Sequence, residues 1–241
     1  MNRQFGLIGY PLSHSFSPNY FAQKFAKEGI LNTTYKACPI EEIEQIKPLF
    51  EEFDGLNVTI PYKEQVIPFL NELDQAAKKI GAVNTIKIKN GQTKGFNTDV
   101  YGFEESLKPL LKPKHTKALI FGTGGASKAI CYVLQKLKIN FKLVSRTQKE
   151  GQITYSEIDK KVVAEYKLLI NTTPLGTSPN EKECVDFPYE AINSEHLLYD
   201  LVYNPAETLF LKKGRLRGAA IKNGLEMLHL QAEKSWQIWN D

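Results

Sequence analysis

The chain has 241 residues, 42% hydrophobic and 24% charged, with a net charge of +4. This suffices for one large domain or two modest ones around a real core, and the mild charge and dispersed lysines exclude a nucleic-acid surface made of basic runs. Nothing approaches the ~18 apolar residues of a membrane span or the apolar region of a leader, and Cys38, Cys131 and Cys184 lie far apart without metal or disulfide spacing, so a soluble, reduced, cytoplasmic protein without a metal is expected.

The first hundred residues alternate short strands with helices. Phe5 to Gly9 reads as a strand. "SPNYFAQKFAKEG" reads as a helix with Ser17 as N-cap, Pro18 in the first helical position and Gly29 as its stop. Thr33 to Ala37 is a second strand, and "IEEIEQIKPLFEEF" is helical with an interruption near Pro48. In "LNVTIPYK", Leu56, Val58 and Ile60 alternate with Asn57 and Thr59, the pattern of a half-buried strand. Pro61 stops its pairing, and a short helix and then the helical "LDQAAKKIG" follow. "NTIKIKNGQTKGFNTD" is a hairpin around Asn90-Gly91.

The style changes near Tyr101–Gly102, where the domain boundary is placed. A plain βαβ unit follows: a strand at Ala118–Phe121, a glycine turn, a helix from about Ala126 to Leu137 and a strand at Phe141–Ser145. Further strands are expected at Lys167 to Asn171, His196 to Tyr203 and Arg217 to Ile221. The closing helix carries an apolar stripe of Leu225, Leu228, Ala232, Trp236 and Trp239.

Several short stretches carry chemistry. "FGTGGA" lies between a strand and a helix, where Gly122, Thr123, Gly124, Gly125 and Ala126 would bring backbone N–H groups to a pyrophosphate at the helix's positive end. Without that context it is equally a tight strand–helix turn. An NAD site wants an acid about 20 residues further on to hold the ribose hydroxyl; this chain has Ser145, Arg146 and Thr147, which suit a 2′-phosphate and favour NADP over NAD, the alternative being a surface arginine that caps a strand end. Lys63 and Asp99, each at the end of a strand, offer an ammonium and its counter-ion; alone, one is a surface charge and the other a helix-start carboxylate. Ser13, Ser15 and Ser17 stand where hydroxyls can bind a small carboxylate, although Ser17 is also an ordinary cap. His14 has no evident partner and reads as a loop residue. Asn84 and Tyr203 read alone as hydrogen-bonding groups of the fold.

Taken together, "SHSFSP", "GLNVTIPYK", "GAVNT", "GFNTDVYGF", "GTGGASKAI", "SRT", "YDLVYNP" and "NGLEMLHLQA" resemble shikimate dehydrogenase, in that family's order from Gly9 to Ala232. The resemblance implies an α/β protein of two domains around a cleft: an N-terminal α/β substrate domain over residues 1–101, a Rossmann-like NADP-binding domain over 102–224, and a last helix, 225–241, returning to the first domain. It implies NADPH-dependent reduction of 3-dehydroshikimate to shikimate, on the route to chorismate and the aromatic amino acids. Lys63 would be the acid–base residue with Asp99 its partner. Ser15 and Ser17 would hold the substrate carboxylate, and Thr59, Asn84, Asp99 and Gln231 the ring hydroxyls, with Tyr203 close by. Gly122 to Ala126 would take the pyrophosphate, Ser145, Arg146 and Thr147 the 2′-phosphate, and Leu201 and Gly224 would lie by the nicotinamide. The expected partner is a small-molecule substrate, and the chain a monomer or homodimer.

Two departures stand out. Ser145-Arg146-Thr147 replaces the Asn-Arg-Thr of many relatives, keeping the guanidinium. "QKEGQITYSEID" is short for the family, as if a helix were missing. The rival readings are a quinate/shikimate dehydrogenase using NAD, which Arg146 opposes; a catalytically inactive NADPH-binding sensor, which Lys63 with Asp99 opposes; and a folate-linked dehydrogenase, which the serine and Asn-Thr-Asp segments oppose.

Overall fold

The computed structural model describes residues 2–12 and 15–241, so the readings at Ser13 and His14 lie outside the described residues. The chain divides into two compact units, Met1–Thr98 with Gln231–Asp241, and Asp99–Leu230.

The first unit is built on a mixed sheet. Its elements are β1 (Arg3–Gly9), α1 (Phe16–Glu28), β2 (Thr33–Pro39), α2 (Ile46–Glu52), β3 (Gly55–Val58), β4 (Glu72–Leu73), α3 (Gln75–Ile80), β5 (Thr85–Lys89) and β6 (Gln92–Phe96). The strand order is β2-β1-β3-β5-β6-β4. β1 runs parallel to β2 and β3, and β5 runs antiparallel to β3 and β6. Asn90 and Gly91 turn the β5–β6 hairpin with φ of 52° and 73°, the positive-φ pair that a two-residue turn requires.

The prolines behave otherwise than the sequence suggested, for one reason. α1 starts at Phe16 with Ser15, not Ser17, as its N-cap, and Pro18 is the third helical residue. Pro48 likewise is the third residue of α2, which runs through it without interruption. N–H groups in a helix's first turn have no partner within the helix, so proline loses nothing there. After Pro61 the chain makes turns and a 3₁₀ segment, Ile67–Phe69, in place of the expected helix.

The second unit contains α4 (Asp99–Leu107), β7 (Lys117–Phe121), α5 (Gly125–Lys136), β8 (Asn140–Ser145), β9 (Gln152–Thr154), α6 (Lys160–Glu165), β10 (Leu168–Asn171), β11 (Leu197–Asp200), α7 (Leu209–Leu216) and β12 (Ala220–Lys222). Its sheet is ordered β12-β11-β10-β7-β8-β9 and parallel throughout. Counted from β7 this is the order 3-2-1-4-5-6 of the Rossmann fold, whose ligand crevice opens at the carboxyl ends of the strands where the winding reverses. Here that point lies between β7 and β10. The strands are apolar on both faces, with Ala118, Leu119, Ile120, Phe121, Leu168, Leu169, Ile170, Leu197 and Leu198 fully buried, as helices on both sides of a parallel sheet require.

Between β8 and β9 there is no helix. Residues 146–151 join two adjacent parallel strands, a link that usually takes a dozen residues or more. The pairing Leu143↔Gln152 to Ser145↔Thr154 explains how. β9 matches only the last three residues of β8, so the chain turns back by two residue lengths, about 7 Å. The connection holds only residues 146–151.

α8 (Leu225–Asn240) runs from the second unit into the first, the division falling between Leu230 and Gln231. Leu225, expected on its apolar stripe, is exposed, and the buried face carries Met227, Gln231, Ala232, Ser235, Ile238 and Trp239. Trp239 stacks on Phe5 with ring centroids 4.6 Å apart and donates from Nε1 to the Ile86 carbonyl at 2.9 Å. A side chain at Gly55 would overlap this indole, so β3 carries its glycine where α8 docks.

Candidate active site

In the second unit, the turn after β7 divides its glycines by purpose. Gly122 has φ +107°, and a Cβ there would lie 2.7 Å from Thr172 Oγ1, so the fold itself requires this glycine. Gly124 and Gly125 differ: a Cβ on either meets nothing within 4 Å. Gly124 caps α5 in extended backbone, and no acidic residue lies in that helix's first turn. Open space above an uncompensated helix N-terminus is what a phosphate needs. Thr123 is exposed and Ala126 half-buried on the same turn.

At the end of β8, Ser145 is buried and its Oγ accepts from the Thr147 backbone N–H at 3.3 Å. Arg146 and Thr147 are exposed in the short 146–151 connection, which carries Glu150 as its acid. Arg146 lies close enough to Tyr155 to lower that phenol's pKa against the larger, upward effect of burial. Leu201 and Gly224, far apart in sequence, meet: a methyl at Gly224 would overlap the Leu201 carbonyl, and the Gly224 N–H donates to the Val202 carbonyl at 3.1 Å. Tyr203 is half-buried, and burial raises its phenol pKa. It lies beyond the end of β11, not within a strand reaching Tyr203 as the sequence suggested. The Asp200 side chain takes the Val202 N–H at 3.0 Å and draws the backbone out of the ladder.

In the first unit the expected residues converge on a buried polar network. Asn57, on β3, is its hub. Asn57 Nδ2 lies within donating distance of the Asn84 carbonyl (3.1 Å), Thr85 Oγ1 (3.1 Å) and Ser235 Oγ (3.0 Å), and its Oδ1 accepts from the Tyr35 hydroxyl at 2.8 Å. Burial pushes the Tyr35 pKa well above the ordinary phenol range, so it stays a neutral donor. Ser17, buried on α1, lies close enough to Tyr35 to lower that phenol's pKa against the larger, upward effect of burial. Asn84 Oδ1 accepts from the Thr98 N–H at 2.7 Å and Thr98 Oγ1 at 3.1 Å. Its carbonyl end is thus taken by the protein, and the amide presents N–H groups elsewhere. Ser235 Oγ donates to the Gln231 carbonyl at 2.9 Å, and Gln231 Oε1 lies 3.4 Å from Thr98 Oγ1.

Ser15 sits at the start of α1 with no capping hydrogen bond from its hydroxyl. Thr59 follows β3, its N–H bonded to the Ile8 carbonyl at 2.9 Å, against the glycine that ends β1. The Lys63 carbonyl accepts from the Val83 N–H at 2.7 Å, which fixes the lysine's backbone beside Asn84; its side chain is half-buried. Asp99, the first residue of the second unit, opens α4 and is buried, a favourable place for a carboxylate at a helix start.

Tyr35, Thr85, Thr98 and Ser235 had no role assigned from the sequence, although Thr85 and Thr98 lie within the motifs "GAVNT" and "GFNTDVYGF". Ser235 had a signal, standing four residues after Gln231 and so on the same helix face. Tyr35 had none, because only the sheet brings it to Asn57. Among the described residues no helix is long and apolar enough to cross a membrane.

The chain is similar to known proteins along nearly its whole length. The family model for the shikimate dehydrogenase substrate binding domain matches residues 7–86. Shikimate dehydrogenase (NADP(+)) of Halothermothrix orenii is 40% identical over 97% of this chain and 89% of its own length. The crystal structure of shikimate 5-dehydrogenase from Thermus thermophilus, in complex with NADP(H) and shikimate, is 30% identical, covers 98% of this chain and 93% of its own, and has a TM-score of 0.87. Quinate dehydrogenase from Corynebacterium glutamicum, in complex with NAD, is 26% identical over 99% of this chain and 93% of its own, with a TM-score of 0.89. With full-length relatives at this level of identity and both units accounted for, the chain belongs to the shikimate dehydrogenase family.

Proposed function

We propose that this protein catalyses the NADPH-dependent, reversible reduction of 3-dehydroshikimate to shikimate in the cytoplasm. The observation that carries this is kinship with NADP-dependent shikimate dehydrogenases across the substrate unit and the nucleotide unit of one chain. The residues fit the cofactor: the open turn at Gly124 and Gly125 would admit a pyrophosphate at the start of α5, and Arg146, with Ser145 and Thr147, would take the 2′-phosphate. Leu201 and Gly224 would border the nicotinamide. Bound NADPH supplies the hydride; the chain's own residues position the ring and manage the proton.

Ser15 and Ser17 hold the carboxylate of the substrate. Thr59, Asn84, Asp99 and Gln231 take the ring hydroxyls, with Tyr203 beside them, and the buried network fixes the two amides before the ring arrives. Lys63 donates a proton to the alkoxide that develops as the ketone is reduced, with Asp99 as its counter-ion. In the reverse direction Lys63 receives it. A site of paired hydroxyls and amides rejects analogues lacking a hydroxyl, because its own groups are then left unmatched.

The purified chain, given shikimate and NADP, should generate the reduced cofactor's absorbance. No turnover despite tight NADPH binding would make it the inactive sensor. Faster turnover with NAD and quinate would favour the quinate reading, which the likeness to quinate dehydrogenase keeps in view and Arg146 opposes.

A further inference from the structure

At the carboxyl edge of the second unit's sheet, the last residue of β11 is an aspartate to which the reading above gives no role. Asp200 is fully buried. Its Oδ2 accepts from the Thr208 hydroxyl at 2.6 Å, and its Oδ1 from Asn171 Nδ2 at 2.9 Å and the Val202 N–H at 3.0 Å. All three donors are neutral. Burial pushes its pKa to about 6 even with these hydrogen bonds in place. A buried carboxylate without a cation is costly, so what it holds matters.

It holds two walls of the crevice. On one side, the Asn171 amide that donates to Asp200 accepts at its own Oδ1 from the Thr173 N–H (3.0 Å) and Thr173 Oγ1 (2.7 Å). This sets the turn after β10, whose Thr172 Oγ1 bonds the Phe121 carbonyl at 2.8 Å and faces Gly122 at the pyrophosphate turn. On the other side, Val202, tied by its N–H to Asp200, accepts the Gly224 N–H at its carbonyl, next to the close approach of Gly224 to Leu201. One carboxylate thus spans the turn after β10, the turn after β11 and the start of α7, where Thr208 is the N-cap.

Building on the proposed NADP chemistry, we infer that Asp200 is a positioning residue that holds the nicotinamide wall, Leu201 and Gly224, in register with the pyrophosphate wall, Gly122 and Thr172, without touching the cofactor. Asp200→Asn keeps the shape: its Oδ1 still accepts from Asn171 and Val202, and its new amide donates to the Thr208 oxygen. Asp200→Ala deletes all three ties.

The test is NADPH binding by fluorescence titration, together with steady-state kinetics for both substrates, on the full chain well below its unfolding temperature. Asp200→Ala should weaken NADPH binding about tenfold, the factor equivalent to ~1.4 kcal/mol, with KM for NADP and kcat affected and KM for shikimate unchanged. Asp200→Asn should restore NADPH binding. If Asp200→Ala does not fold, Thr208→Val, which removes a single hydroxyl, decides: NADPH binding should weaken, and Thr208→Ser should restore it. Wild-type NADPH affinity in folded Asp200→Ala, or in Thr208→Val where that variant decides, overturns the inference. So does equal loss for NADP and shikimate, which marks general destabilisation. Failure of the wild-type chain to bind NADPH would overturn the functional reading itself, a distinct result.

Discussion

The two glycines at the start of α5 give a test in which stability and binding move in opposite directions. Gly125→Ala places a methyl where nothing lies within 4 Å, at the first residue of a helix. Alanine is favoured over glycine within a helix by up to ~1 kcal/mol, so the unliganded protein should be as stable as wild type or slightly more so. For a chain of this size each kcal/mol moves the unfolding temperature by about 2–4 °C. Under the proposed function, the same methyl fills the space that the pyrophosphate would occupy. Overpacking a fitted site costs ~1–3 kcal/mol, which is about 5- to 150-fold in Kd. Gly122→Ala is the control with the opposite pattern: its φ of +107° and the contact at 2.7 Å from Thr172 Oγ1 predict a loss of stability before any ligand is added. Urea unfolding of the unliganded proteins and NADPH fluorescence titration measure the two effects. Unchanged NADPH affinity in Gly125→Ala would place the pyrophosphate elsewhere. A clear loss of stability in that variant would mean that the fold, not a ligand, needs this glycine.

Other outcomes follow from single residues. Lys63→Ala should lower kcat by ~10²–10⁴, the usual worth of a general acid, with little change in shikimate KM; turnover close to wild type would reduce Lys63 to a surface charge. Arg146→Ala should erase the preference for NADPH over NADH, measured as a ratio of kcat/KM; a ratio that does not move would remove Arg146 from the phosphate site. Gln231→Ala and Thr59→Val should raise KM for shikimate and leave that for NADP alone, and unchanged values in both would refute their placement. His115 predicts a pH effect on stability. It is buried, with Nδ1 accepting from the Lys112 N–H at 3.0 Å and Nε2 against the Glu195 carbonyl at 3.2 Å. Burial, then Lys114 and Lys112, lower its pKa, while the Glu195 carbonyl opposes them. The unfolded chain therefore binds the proton more readily, so stability falls as pH drops below the unperturbed value of ~6.5. His115→Gln should flatten that slope in urea unfolding measured against pH, and an unchanged slope would count against it.

Much of the nucleotide unit could be read from the sequence, because its signals are local. Strand β7, the glycine turn and helix α5 follow one another within twenty residues, and the absence of an acid beside Arg146 at the end of β8 is equally local. Chemistry that depends on neighbours in the chain survives without coordinates. What failed was local in another way. Ser17 as cap and Pro48 as breaker rested on residue preference, and both fell because a proline in a helix's first turn costs nothing. β9 has three residues, too few for a pattern, and it exists because β8 offers an edge to pair with.

By itself, then, the chain determined its two α/β parts and the strand, glycine turn and helix of the second unit, and it offered candidate residues for a 2′-phosphate and for the proton. Those follow from periodicity, helix polarity and charge, which act over a few residues. Only the tertiary structure decided which polar groups meet. Tyr35 and Ser235 reach Asn57 from a strand and from the last helix, and Asp200 gathers Asn171, Val202 and Thr208 around one carboxylate. Burial makes each such group find a partner, and the partner available is whatever the sheet order and the return of α8 bring alongside.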